Sequence, residues 1–372
     1  MKDTIIYHVD VNSAFLSWEA VHQLKLHPDA LDLRSICSAI CGDPAKRHGI
    51  ILAKSSPAKA YGVETAETIG RAQSKCPSLV LVPSNYNLYV EASNNLMNLL
   101  KKYSPSVEQY SIDEAFLDMT GTYSLYGDPV DFAYKLKDKI YDTLGFTVNI
   151  GISSNHLLAK MASDFQKPNR VHTLFTEEIS RKMWPLPIED LLFVGKSTAK
   201  ELHKLGIHTI GTLAQTPQEI LVSHFKKQGI NMYDYANGTD LHFPIIHHQK
   251  KVQKSYSHSI TLANDIIEKT VAHYVLLSLC ETIAAKMRFD KIRMSTISIT
   301  VRYADFSTVS KQTTLSSATN QTQKIYETSI SLFDSFYQEK PIRLLNVSAS
   351  NADVSNNSQS SLFDDPKDER LL

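Results

Sequence analysis

Two acidic residues stand side by side in Tyr110-Ser-Ile-Asp-Glu-Ala-Phe-Leu-Asp118, among Ile112, Phe116 and Leu117, which are residues to bury. Neighbours on a regular strand point to opposite faces, so Asp113 and Glu114 are expected at a hairpin tip or a distorted strand end. Carboxylates in apolar company are costly unless their charge is compensated, and a divalent metal is the usual compensation. Taken alone, such a pair reads better as a solvated acidic turn. A second stretch reverses that preference. Ile5-Ile-Tyr-His-Val-Asp-Val-Asn-Ser-Ala-Phe15 reads as a short buried strand that ends on a lone carboxylate, Asp10. Asp10, Asp113 and Glu114, converging from two adjacent strand ends, would offer three hard oxygen donors with room for water and phosphate. Mg²⁺ beside a nucleotide is held in that way. Two such ions a few ångströms apart would clamp the attacking and leaving oxygens of an in-line phosphoryl transfer.

The elements that must position these groups are legible from periodicity. Ala14–Leu26 has helical apolar spacing and stops before Pro28. Short strands are expected over 38–41 and 49–53. A helix follows over 87–103, then the acidic hairpin, a helix over 130–144 with lysines 135, 137 and 139 on its wet side, and a strand over 146–152. Asn155 then opens another helix. Strand, helix, hairpin, helix, strand is the order of a split βαβ, ferredoxin-like unit.

Composition sets the outer limits. The 372 residues suggest two to four domains, since roughly 100–200 residues make one. No signal peptide, no apolar run of membrane-spanning length and no zinc-like cysteine spacing is present, so a cytoplasmic protein with reduced Cys37, Cys41, Cys76 and Cys280 is expected. The net charge is zero, yet eight lysines face four acidic residues between Gly195 and Thr261. A local basic field suits a polyanion even when the whole-chain sum conceals it.

His8-Val-Asp-Val-Asn-Ser-Ala-Phe15, Ser111-Ile-Asp-Glu-Ala-Phe-Leu-Asp118 and Asn149-Ile-Gly-Ile-Ser-Ser-Asn-His-Leu-Leu-Ala-Lys160 stand in the order and spacing of the Y-family translesion DNA polymerases. The resemblance, to the bacterial polymerase IV/V group, runs to about residue 350. It implies an α+β multidomain chain. A ferredoxin-like palm with small fingers would span 1–185 (fingers about 25–80) and a helix-hairpin-helix thumb 186–241. A basic linker, 242–258, would lead to an α+β little finger over 259–350, and a flexible tail would span 351–372. The implied catalytic set is Asp10, Asp113 and Glu114 with two Mg²⁺ ions, the Val11 carbonyl adding a metal ligand. Phe15 resembles the aromatic steric gate against a ribose 2′ hydroxyl. Lys167, in Lys-Pro-Asn169, and Lys59 would meet the incoming dNTP; Lys160 would support the acidic cluster. Ser56 and Lys59 stand where the family commonly has Tyr and Arg, so a small hydroxyl and a point charge replace a ring and a planar fork.

Asp190–Ile207 resembles the family's helix-hairpin-helix, whose backbone amides at Gly195, Lys196 and Ser197 would face a DNA phosphate. Phe193 replaces the first glycine of the usual turn, and a plain helical hairpin is an equal reading of the segment alone. Lys254, Arg302 and Arg343 are expected phosphate contacts of the linker and little finger, although each is also an ordinary solvated charge. Gln359-Ser-Ser-Leu-Phe363 resembles the peptide by which bacterial polymerases bind the sliding clamp, through Gln359, Leu362 and Phe363. Primer-template DNA, dNTP and the clamp are then the partners of a chain that works as a monomer. Two other classes compete: a nucleotidyl cyclase, whose palm uses the same metal carboxylates, and a catalytically silent protein that binds damaged DNA.

Overall fold

The computed structural model describes residues 4–43, 49–241, 243 and 253–352, in two compact units divided near residue 250. In the first unit the alternation of Ile6–Val11 builds strand β1, buried on both faces. Tyr7, Val9 and Val11 enter one core; Ile6 enters another. After the fingers strands β2 (Ser38–Cys41), β3 (Ile51–Lys54) and β4 (Val80–Pro83) come β5 (Ser106–Gln109), β6 (Glu114–Asp118), β7 (Val148–Ser153) and β8 (Val171–Thr173). The main sheet runs β5-β6-β1-β7-β8, antiparallel but for the β7/β8 pair. With the helices Tyr86–Leu100 and Pro129–Leu144 on its first core, this is the ferredoxin-like order expected. The first helix lies at Ala14–Leu26, as its spacing predicts.

The other face of the sheet receives the helix His156–Asp164, and two features dictate its position. Asn155 caps it by accepting from the Leu158 amide at 2.8 Å. Gly151 on β7 lets it come close, because a β-carbon there would fall 2.0 Å from the Ala159 carbonyl oxygen. The same core continues into a helical subdomain of Lys196–Lys204, Ile210–Gln215, Gln218–Phe225 and Lys227–Ala236, with Leu158, Leu202, Leu213 and Leu221 buried together. The fingers sheet, ordered β3-β2-β4, has its own small core around Ile51, Ala58 and Ala72.

The second unit contains β9 (Ser255–Ile266), β10 (Met294–Tyr303), β11 (Thr308–Thr319) and β12 (Ile342–Ala352), ordered β11-β10-β12-β9. Ile297, Ile299 and Val301 face the helices Lys269–Phe289 and Thr322–Asp334, and Ser298, Thr300 and Arg302 alternate away from that core. Three expectations need correction. β9 starts at Ser255, inside the stretch read as linker, because register with β12 satisfies its backbone: Ser257 lies opposite Ser348. The helix expected over 87–103 ends at Leu100, where the Ser104 amide bonds back to the Leu100 carbonyl. Lys137 does not join Lys135 and Lys139 in water. It is buried, donating to Asp138 at 2.7 Å and to Asn169 Oδ1 at 3.0 Å.

Gly151→Ala is expected to lower stability by about 3 kcal/mol or more in denaturant unfolding, since backbone is what the new methyl meets. Gly70→Ala, in the helix Ile69–Lys75 with nothing within 4 Å, should instead add about 0.5–1 kcal/mol.

Candidate active site

Antiparallel partners share a face of the sheet, and the β1/β6 register sets Ile6 opposite Asp118, His8 opposite Phe116 and Asp10 opposite Glu114. The two carboxylates therefore stand together at the end of the sheet, on the side of the helix His156–Asp164. Asp113 is the next residue back, in the tight bend before β6. The bend is closed by the Tyr110 amide on the Glu114 carbonyl at 2.9 Å and joined to β1 by the Val11 amide on the Asp113 carbonyl at 3.1 Å. The Ser111 hydroxyl donates to Asp113 Oδ1 at 2.6 Å.

Each of the facing carboxylates is held by its own lysine. Lys160 Nζ donates to Glu114 Oε1 at 2.5 Å, with its ammonium 5.1 Å from the Tyr110 ring centroid. Lys167 Nζ lies 2.8 Å from Asp10 Oδ2 and 2.8 Å from Asp164 Oδ1. Burial pushes the Asp10 carboxyl up to about 7 against the pull of Lys167, and the nearby charges of Glu114 and Asp164 push the same way. Burial alone would lower Lys167; Asp10 and Asp164 more than reverse it, so the ammonium stays charged. Under the carboxylates, the Ser163 hydroxyl donates to the Lys160 carbonyl at 2.8 Å and its oxygen accepts from His8 Nδ1 at 2.8 Å. Burial, reinforced by Lys160 and Lys167, holds His8 neutral, far below the usual histidine range.

The loop bearing Lys167 is tied down by amides that residue-type reasoning passed over. Asn149 Nδ2 donates to the carbonyls of Ser163 at 2.9 Å and Gln166 at 2.8 Å, and its oxygen accepts from Asn12 at 3.1 Å. Asn12 Oδ1 accepts the Asn169 amide at 2.8 Å. Buried asparagines at the ends of two adjacent strands were the available signal, since such groups must find partners. Phe15, on the first turn of Ala14–Leu26, is stacked on Tyr89 at 4.6 Å and 9° between planes, with Tyr86 edge-on at 5.9 Å.

Among the described residues no three acidic, histidine or cysteine side chains are arranged as a metal cage; two of the acids are turned to lysines. The donor set nevertheless suits a hard cation. A buried carboxylate opposed by a second one, both drawn onto ammonium groups, shows that this corner needs positive charge.

Comparison with known proteins settles the family. The impB/mucB/samB family model matches residues 9–164, its C-terminal domain 253–362, and its helix-hairpin-helix motif 176–207. The chain is 42% identical to DNA polymerase IV of Clostridium acetobutylicum, over 98% of this chain and 91% of that one. It is 38% identical to DNA polymerase IV of Alkaliphilus oremlandii, over 96% and 88% respectively. The chain belongs to the Y family of DNA polymerases. A solved Y-family chimera of Dbh and Dpo4 shares the fold, with a TM-score of 0.77 at 22% identity, over 93% of this chain and 98% of that one.

The remaining family positions fall as follows. Ser56 opens the short fingers helix Ser56–Ala60, which Ser55 caps, and Lys59 lies near its end; both are exposed. In the thumb, a 3₁₀ turn at Ile188–Asp190 leads through a bend to the helix Lys196–Lys204, whose first residue follows Gly195 without any side-chain cap. Phe193, in the glycine position of that bend, takes φ of 67°, a conformation that costs an L side chain about 1–2 kcal/mol. Its ring packs near Tyr235 at 5.7 Å, which offsets part of that strain. Lys254 is exposed just before β9. Arg302 Nε donates to Thr308 at 3.2 Å, and the Arg343 guanidinium lies 4.8 Å over the Phe306 ring. Gln359, Leu362 and Phe363 lie outside the described residues. No helix among those described is long and apolar enough to cross a membrane.

Proposed function

We propose that Asp10, Asp113 and Glu114 are the catalytic centre of an error-prone, template-directed polymerase for translesion synthesis, which adds dNTPs to a primer 3′ end as a monomer. The observation that carries this reading is the register that sets Asp10 opposite Glu114, with Asp113 beside them. These three carboxylates and the Val11 carbonyl would hold two Mg²⁺ ions, which lower the pKa of the primer hydroxyl and spread charge on the phosphates. Lys167 and Lys59 neutralise the triphosphate, and Ser56 donates a hydrogen bond to it. Lys160 keeps Glu114 aimed. Phe15, backed by the ring of Tyr89, fills the space a 2′ hydroxyl needs. The amides after Gly195, at Lys196 and Ser197, take a backbone phosphate, and Lys254, Arg302 and Arg343 take others. The tail peptide Gln359-Ser-Ser-Leu-Phe363 engages the bacterial sliding clamp.

In a primer-extension assay with Mg²⁺, Asp113→Ala should lower the rate about 1,000-fold or more with duplex binding retained. Cyclic nucleotide as the product would mark a cyclase, and binding without extension by wild type a silent binder. Phe15→Ala should reduce discrimination against ribonucleotides at least about tenfold while DNA synthesis survives; unaltered discrimination removes Phe15 from the gate. Replacing Lys254, Arg302 and Arg343 with Ala should weaken duplex binding and flatten its salt dependence by about one log unit of slope per lost phosphate contact. Deleting residues 359–363 should abolish stimulation by the clamp and leave unassisted extension intact.

A further inference from the structure

We propose that Asp164 is a positioning residue for the incoming nucleotide: it retains the Lys167 ammonium at the mouth of the site once Asp10 turns to a divalent cation. The inference rests on the reading of Lys167 as a triphosphate ligand.

Three observations single out Asp164. It closes the helix His156–Asp164, where the negative end of the helix dipole disfavours a carboxylate. Its carboxylate also stands on the same ammonium as that of Asp10, so two like charges lie close together. Both effects are unfavourable, and a residue that breaks a local rule at a site edge calls for a compensating role. The compensation is Lys167, whose ammonium has two carboxylates within ion-pair reach among the described residues, at 2.8 Å each. The two differ in their contact with water. The Asp10 side chain is 9% exposed and that of Asp164 is 47% exposed.

The root of Lys167 cannot follow its side chain. The Gln166 carbonyl is held by Asn149 and the Asn169 amide by Asn12, so the backbone is pinned on both flanks. Only the flexible stem moves. A lysine left with no acceptor would spread over many rotamers in water, and gathering it again would cost side-chain entropy when a triphosphate arrives. Asp164 restricts that spread to an arc at the solvent side of Asp10. The same carboxylate eases the release of Asp10, because Lys167 gives up one of two acceptors.

The test uses the full chain with a dideoxy-terminated primer-template, Ca²⁺ as a divalent ion that supports binding without turnover, and a 2-aminopurine template reporting dTTP affinity. Lys167→Met should weaken dTTP binding; wild-type affinity in that variant would overturn the assignment of Lys167 itself, independently of Asp164. With Lys167 so established, Asp164→Asn should weaken dTTP binding about fivefold, the scale of a partly exposed ion pair. In Mg²⁺ turnover most of the loss should fall on KM, and Asp164→Glu should recover most of it. Added to Lys167→Met, Asp164→Asn should cost nothing more. Thermal unfolding of Asp164→Asn should stay at or above wild type, because an unfavourable helix-end charge is removed. Wild-type dTTP affinity in Asp164→Asn, losses that multiply in the double variant, or a lowered Tm shared by the Asn and Glu variants would each overturn the proposal.

Discussion

The structure depends on two carboxylates that face each other at the end of a buried sheet. Asp10, which is buried, and Glu114, which is half-buried, share one side of the β1/β6 pair, where water screens their charges less than it would at an open surface. Like charges in such a corner require cations, and Lys160 and Lys167 supply them from one side of the sheet. Much of the surrounding architecture serves to bring those two lysines to that corner. Gly151 admits the helix that bears Lys160; Asn149 and Asn12 fasten the loop that bears Lys167. The apolar side of the same sheet, with Tyr7, Val9 and Val11 in a continuous core, keeps the strand ends from yielding.

That arrangement separates rigid from adjustable parts. Strand ends and bend carry the acids, so their spacing is set by ladder hydrogen bonds. The lysines reach the acids through long stems, and Lys167 stands within reach of both Asp10 and Asp164. The helix His156–Asp164 belongs at once to the palm and to the core that continues into the thumb, since Leu157 and Leu158 are buried with Leu202 and Leu213. Displacement of the thumb core would therefore be felt at Lys160. Departures from the family sit at the periphery. Ser56 and Lys59 are exposed in the fingers, and Phe193 bears a left-handed backbone that a glycine would reach without strain.

Much of this was legible in the residues. Apolar periodicity located the helix Ala14–Leu26 to the residue, and the adjacency of two acids pointed to a hairpin tip or a distorted strand end; Asp113 falls in the bend and Glu114 opens β6. The burial of Lys137 was not legible. Its spacing matches a solvated face, and its tertiary partner, Asn169, lies 32 positions further along the chain. The first residues of β9 were equally hidden. Apart from Tyr256, which enters the core, Ser255 to His258 are polar, and their strand conformation comes from pairing with β12, about ninety positions later in the chain.

The sequence by itself determined the chemistry available: three carboxylates at strand ends, a phenylalanine on the first helix, and lysines in motifs whose order names the family. Only the tertiary structure decided which lysine serves which acid, that Asp164 shares Lys167, and that two asparagines hold the loop. Periodicity reports the face on which a side chain lies, because that follows from local backbone geometry. Partners across 46 or 157 positions of chain are chosen by the register of strands and the seat of one helix, and no local pattern encodes them.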